Sequence, residues 1–200
     1  LIPEQESAQR LARTLNSHNV LDYIELSEDF GILDVPAPAG WVGKTLRELG
    51  LFVSDGTKLL QEAVKYCPGL ETVILSDDVT AQVPEHVRLV RVPGDVMASI
   101  SPMQSPQGAL FVCRLPEKQP FLPQPGILLL DGIQDPGNLG TMLRTADALG
   151  VPVALLEGCA DPYSHKVVRS SMGAVFRTPV VQTTWEEAGA VCRREKIPVA

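Results

Sequence analysis

One stretch of 26 residues, 126–151, constrains what this chain can fold into more than any other part of it. It begins with a short apolar run at 127–130, which indicates a buried strand. A polar loop over 135–140 follows, and beyond it apolar residues recur every three or four positions, as in an amphipathic helix. Gly150 is placed to end that helix, and 151–156 again has the composition of a buried strand. The sequence therefore predicts a strand–helix–strand crossover and an α/β fold, with function in the loop after the first strand.

Four residues of this unit have the chemistry to hold a phosphate or a nucleotide. Asn138 carries an amide that both donates and accepts hydrogen bonds, and Gly137 and Gly140 would let a ligand approach the backbone. Arg144 carries a planar cation suited to phosphate, and the helix N-terminus adds N–H donors. The same residues are also compatible with ordinary turn chemistry and a solvated arginine. The glycine spacing matches neither a dinucleotide fingerprint nor a P-loop.

Two neighbouring segments resemble the SpoU (TrmH-like) RNA ribose methyltransferases. Residues 135–146, DPGNLGTMLRTA, resemble the first signature motif of that family, and residues 166–179, KVVRSSMGAVFRTP, are similar to the segment that follows it. The resemblance implies transfer of a methyl group from S-adenosylmethionine to a ribose 2′-hydroxyl of structural RNA, either rRNA or tRNA. It also implies a homodimer and an α/β catalytic domain with a C-terminal trefoil knot.

The resemblance assigns roles to individual residues. Asn138 and Arg144 are the implied catalytic residues: Arg144 fixes the phosphate beside the target ribose, and Asn138 contacts the ribose or Arg144. The family motifs that supply the S-adenosylmethionine pocket are expected beyond Ala200, so no cofactor-binding residue is assigned, and the chemistry requires no metal ion. Substrate-binding roles are implied for Gly140, Lys166, Arg169, Ser171 and Gly173.

The sequence also predicts how the chain is divided. Residues 51–114 alternate between strand and helix patterns and are similar to the small α/β RNA substrate-binding domain that often precedes the SpoU catalytic domain. Residues 115–125, LPEKQPFLPQP, contain four prolines and are predicted to form a stiff linker. Residues 126–200 are then the catalytic domain, an incomplete SPOUT-type (α/β knot), Rossmann-like domain that is expected to stop before the knot.

Residues 1–50 have a different resemblance, to the C-terminal half of RCK (TrkA/KtrA-type) regulators of potassium uptake. A helix is predicted at 4–21, strands near 23–26 and 31–35, and a short helix at 42–49. This resemblance leaves two alternatives to a methyltransferase. One is a ligand-sensing regulatory protein of potassium uptake, and the other is a nonfunctional fusion of two reading frames.

Composition narrows the class of protein. Of the 200 residues, 44% are hydrophobic, and no apolar run approaches the ~20 residues that a membrane span needs. Four cysteines without C-x-x-C spacing favour free thiols in a reducing cytoplasm over disulfides or a zinc site. The net charge of −7 argues against a broadly basic RNA-binding surface, although residues 124–200 hold 7 basic and 8 acidic groups. A local basic patch is predicted from Arg144, Lys166, Arg169 and Arg177.

Overall fold

The structure, a computed structural model, describes residues 22–25, 31–34, 39–101, 103, 105–122, 126–178 and 180–198. The chain divides into two units, residues 1–45 and 46–200. In the first unit, strands β1 (Asp22–Glu25) and β2 (Gly31–Asp34) pair in antiparallel fashion, which confirms the two strands predicted there. The helix predicted at 4–21 lies outside the described residues.

The short helix predicted over 42–49 is wrong. Residues 39–43 and 46–50 form turns instead. Gly43 has a φ of 74° and Gly50 a φ of 73°, in the left-handed region that interrupts a right-handed helix. The apolar spacing that suggested a helix therefore spans two separate turns.

The first layer of the second unit is a four-stranded mixed sheet in the order β3-β6-β4-β5. Only β4 and β5 are parallel among its pairs, and β6 runs antiparallel to both of its neighbours. Two helices accompany the sheet. The strands are β3 (Leu51–Asp55), β4 (Leu70–Ser76), β5 (Arg88–Val92) and β6 (Ala109–Arg114), and the helices are α1 (Thr57–Tyr66) and α2 (Gly94–Ile100).

The second layer is a three-stranded parallel sheet in the order β7-β8-β9. Its first helix connects β7 to β8 and ends at Gly150, which has a φ of 66°. The predicted strand–helix–strand crossover and the α/β class are confirmed. The strands are β7 (Leu128–Leu130), β8 (Val153–Leu155) and β9 (Val180–Gln182), and the helices are α3 (Pro136–Leu149), α4 (His165–Ser170) and α5 (Trp185–Glu195), with a 3-10 turn at Ala174–Phe176.

Both layers of residues 46–200 contribute to one apolar core. The Phe52 ring of β3 lies 5.3 Å from the Tyr163 ring and 6.3 Å from the Phe176 ring, measured between centroids. Burial of Tyr163 raises the pKa of its hydroxyl group to about 12. Phe121, within the segment predicted to be a linker, is buried in a smaller cluster with residues of β8 and α5. The core includes Leu60, Val73, Phe111, Leu139, Leu143, Val153, Val167 and Val168.

Helices α3 and α4 approach each other closely at Gly140. A Cβ atom added there would lie 1.9 Å from Ser170 Oγ and 2.8 Å from the backbone nitrogen of Ser171. Ser170 Oγ also donates a hydrogen bond to the Pro136 carbonyl oxygen at 3.0 Å. Gly140 is therefore needed for the two helices to pack at this distance.

We expect Gly140→Ala to lower the free energy of unfolding by about 1–3 kcal/mol, because the new methyl group overlaps Ser170. Gly189→Ala is the matched control in α5, since the nearest atom to its added Cβ is the flexible end of Arg193, at 3.4 Å. That control should be about 0.5–1 kcal/mol more stable than wild type, because alanine favours helix. Urea unfolding measures both values. Equal stabilisation by the two substitutions would contradict the packing argument.

Candidate nucleic-acid interface

Helix α3 begins at Pro136, so Asn138 and Gly140 lie in its first turns and not in the polar loop that the sequence predicts. Asp135 is the N-cap, and its side chain accepts a hydrogen bond from the Asn138 backbone N–H at 2.7 Å. Pro136 follows at the first helical position, where its missing N–H costs nothing. The prediction of a loop was wrong because an aspartate–proline pair starts a helix as well as it forms a turn.

Asn138 and Arg144 are both exposed on α3. Neither side chain has a hydrogen-bond or ion-pair partner within the described part of the chain. Six residues apart, they are separated by about 9 Å along the helix and about 120° around it. The buried face of α3 is formed by Leu139, Leu143 and Ala146. A ligand that contacts both residues would therefore lie along the exposed surface of this helix.

Three of the predicted substrate-binding residues are in packing contacts. Gly140 is buried against α4, and the buried Ser171 donates its hydroxyl hydrogen bond to the Val168 carbonyl oxygen at 2.9 Å. Gly173 has a φ of 81°, and a Cβ added there would lie 2.9 Å from Glu62 Cβ. Packing accounts for these three small residues, and their role in substrate binding stays a prediction.

The two basic side chains of α4, Lys166 and Arg169, are more accessible than these three small residues. Lys166 is exposed and has no partner in the described ranges. Arg169 is 40% exposed, and its Nη1 lies 2.8 Å from Met103 Sδ and 3.8 Å from Asp55 Oδ1. Lys166 and Arg169 therefore lie on the surface, where the substrate-binding role predicted for them requires them to be.

Two residues at this junction are not indicated by the sequence. Asp55, the last residue of β3, is 3% exposed, and its Oδ1 lies 2.7 Å from His165 Nε2. The two residues are 110 positions apart, so no local motif could connect them. The one sequence feature that could have indicated this contact is a charged residue, Asp55, at the end of an apolar strand.

Arg177 does not join the predicted basic patch, because carboxylates already surround it. Its guanidinium lies 2.9 Å (Nε) and 2.7 Å (Nη2) from Asp147 Oδ2 and also pairs with Glu62. Thr178 Oγ1 donates a further hydrogen bond to Asp147 at 2.9 Å. Arg177 thus joins α3 to α1, and its charge is already paired.

Three of the cavities in the second unit are lined by described residues. The first, of about 500 Å³, is beside α4, and the second, of about 440 Å³, lies between the turn at 46–50, β3 and His165. The third, of about 310 Å³, is a mostly apolar space between the two sheets. Neither Asn138 nor Arg144 lines any of the three. The first cavity is lined by Met103, His165, Lys166, Arg169 and Ser170.

The described residues contain neither a metal-binding cluster nor a membrane-spanning helix. Among those that the structure describes, no group of three or more histidine, cysteine, aspartate or glutamate side chains could hold a metal ion. The helices described here include none that is long and apolar enough to span a bilayer.

The fold and the site define an α/β protein that presents an amide and an unpaired arginine on the helix after a parallel strand. Residues 125–200 match the model of the SpoU rRNA Methylase family. The chain is 36% identical over 135 residues to the 23S rRNA (guanosine(2553)-2'-O)-methyltransferase RlmP of Bacillus subtilis (strain 168), covering 66% of this chain and 54% of that protein. It is 36% identical over 152 residues to the mitochondrial rRNA methyltransferase 3 of Homo sapiens, a match that covers 68% of this chain and 36% of that protein.

Solved structures of related proteins have the same fold as this chain over most of its length. A TrmH-family protein from Porphyromonas gingivalis superposes with a TM-score of 0.65 at 34% identity, over 76% of this chain and 62% of that one. An AdoMet-bound rRNA methyltransferase from Sinorhizobium meliloti gives a TM-score of 0.62 at 27% identity, over 74% and 60%. Through residues 125–200 the chain belongs to the SpoU family, as its motifs predict. It spans about half, or less, of the length of the two curated relatives. These matches do not support the RCK resemblance of residues 1–50.

We expect Asp135→Ala to lower the free energy of unfolding by about 1 kcal/mol, because the first turn of α3 loses its side-chain cap. Asp135→Asn is the matched control and should remain within a few tenths of a kcal/mol of wild type, since asparagine caps about as well. Urea unfolding gives both values. Equal losses in the two variants would show that the carboxylate charge, and not the cap, stabilises this end of the helix.

Proposed function

We propose that this chain takes part in the transfer of a methyl group from S-adenosylmethionine to a ribose 2′-hydroxyl of structural RNA, rRNA or tRNA. The observation that carries the proposal is Arg144: it lies within the SpoU match, it is exposed, and it has no partner in the described residues. The two curated relatives are both named as rRNA methyltransferases. These matches favour an enzyme over the RCK-type sensor.

The chemistry explains what α3 would contribute. A ribose hydroxyl is a weak nucleophile near neutral pH, so its reaction depends on alignment and on help with proton removal. Arg144 is suited to hold the phosphate beside the target ribose, because the planar guanidinium offers paired donors in a fixed geometry. An arginine side chain keeps its proton, so we assign Arg144 to holding and orienting the substrate. Asn138 would contact the ribose through its amide.

In this proposal, S-adenosylmethionine supplies the methyl group when it is bound. The residues that we assign lie on the RNA side of the reaction. None of the three cavities is lined by residues 131–138 or 156–158, which follow β7 and β8. These three cavities therefore contain no residue that we assign to the methyl donor.

The same proposal includes RNA as the partner, a homodimer as the assembly and the cytoplasm as the location. RNA follows from the names of the relatives, which include a bacterial enzyme and a mitochondrial one. The homodimer follows from the family resemblance alone, and the cytoplasm from the pattern of cysteines.

We expect Arg144→Ala to reduce methyl transfer to rRNA by about 100-fold or more, because the reacting ribose loses the group that fixes its phosphate. RNA affinity should fall by about three- to tenfold, with a smaller salt dependence, since one phosphate contact is lost. Arg194→Ala is the control: Arg194 is an exposed arginine on α5 that pairs with the adjacent Glu195.

Tritium transfer from labelled S-adenosylmethionine measures the reaction, and fluorescence anisotropy measures binding. A wild-type chain that does not bind RNA would contradict the whole proposal. Methyl transfer that Arg144→Ala leaves unchanged would contradict its enzymatic part. Equal effects of the two arginine substitutions would remove Arg144 from the site.

A further inference from the structure

The polar cluster at the junction of β3 and α4 is not used by the proposed reaction. Asp55 accepts a hydrogen bond from His165 Nε2, because an ionised carboxylate can only accept, and the atoms are 2.7 Å apart. Asp55 is 3% exposed and His165 is 24% exposed. With Nε2 hydrogen-bonded to Asp55, Nδ1 is the ring nitrogen of His165 that is left for a ligand. The buried carboxylate thus sets the direction in which the imidazole offers its other nitrogen.

Two buried hydroxyl groups lie next in sequence to the Asp55–His165 pair. The hydroxyl groups of Ser54 and Ser164, which precede Asp55 and His165 in the sequence, are buried and have no hydrogen-bond partner. Buried groups without partners are rare in folded proteins and call for an explanation such as a bound water or ligand. Neither serine lines the cavity beside α4, and Ser54 and Asp55, as neighbours in a strand, point to opposite faces of the sheet.

His165 lines the cavity of about 500 Å³ together with Lys166 and Arg169. That volume lies within the range of small-molecule sites, about 300–1,000 Å³. Lys166 has no partner in the described part of the molecule, so its charge is available to a ligand. Arg169 is partly exposed, and its Nη1 also lies 3.8 Å from Asp55 Oδ1. An imidazole nitrogen beside this arginine and the exposed Lys166 suits a sugar hydroxyl next to a phosphate.

Ser170 links the wall of this cavity to the first turn of α3. Ser170 forms part of its wall and donates a hydrogen bond to the Pro136 carbonyl oxygen at 3.0 Å. Asn138 lies two residues further along α3. The cavity wall is therefore joined to the helical turn that carries Asn138.

We propose that this cavity is a subsite for a ribose–phosphate unit of the RNA strand that flanks the target nucleotide. His165 Nδ1 accepts a hydrogen bond from the 2′-hydroxyl of that unit, while Lys166 and Arg169 contact its phosphate. Asp55 is a positioning residue that acts through His165. The inference rests on the proposed function, and it predicts a preference for RNA over DNA, because only RNA carries the 2′-hydroxyl.

Two substitutions separate a ligand role of His165 from a structural one. The glutamine amide of His165→Gln reaches the place of Nε2 and can still donate to Asp55, but it leaves nothing at the place of Nδ1. His165→Asn has the opposite effect, because its shorter side chain loses Asp55. A purely structural histidine would tolerate glutamine in every assay and would be damaged by asparagine.

We expect His165→Gln to keep the wild-type Tm and to bind RNA about three- to tenfold more weakly, the effect of one lost hydrogen bond. Binding of DNA should not change, so the preference for RNA is reduced or lost. The probes are fluorescein-labelled single strands of RNA and DNA with the same sequence, about ten nucleotides long, measured by anisotropy on the full chain. If His165→Gln lowers the Tm, Lys166→Ala replaces it. That variant should weaken the binding of both probes by about three- to tenfold.

Wild-type affinity and RNA preference in His165→Gln at an unchanged Tm would overturn the subsite, as would unchanged binding in Lys166→Ala. The outcome also separates this inference from the proposed function. If RNA binds to wild type and Arg144→Ala weakens it while His165→Gln does not, only the subsite fails. If wild type does not bind RNA, both fail.

Discussion

The close contact between α3 and α4 determines the geometry of the candidate interface. Because Gly140 has no side chain, the Ser170 hydroxyl reaches the first turn of α3 and hydrogen-bonds there. At its other end, α4 is held by the hydrogen bond between His165 and the buried Asp55 of β3. One short helix thus links the turn that carries Asn138 to the first sheet. Any surface that these elements form together depends on that spacing.

Local charge explains how a chain with a net charge of −7 can present a surface for RNA. Arg177 is neutralised by Asp147 and Glu62, so it contributes to stability and not to an external field. Arg144 and Lys166 have no such partners among the described residues. Their charges are available on α3 and α4, where both SpoU-like segments lie. The distribution of charge over this surface is therefore more informative than the total.

The sequence predicts the second layer well because its signals are local. Apolar periodicity and Gly150 give the strands and the end of α3 within a few residues. The start of α3 was missed because Asp135-Pro136 suits a turn and a helix cap equally well. The Asp55–His165 contact joins residues 110 positions apart, and the need for glycine at 140 depends on its contact with Ser170. Neither is visible without tertiary structure.

Packing separates the predicted site residues into two groups. Gly140, Ser171 and Gly173 have structural reasons to be small, since each contacts a neighbouring element or a backbone carbonyl. Asn138 and Arg144 have no such reason: they are exposed, make no side-chain contacts with polar partners in the described residues, and lie in the segment shared with the SpoU family. A polar side chain that stabilises nothing within its own fold is best explained by a partner outside it. For this chain, a partner that combines a phosphate with a sugar hydroxyl fits both residues.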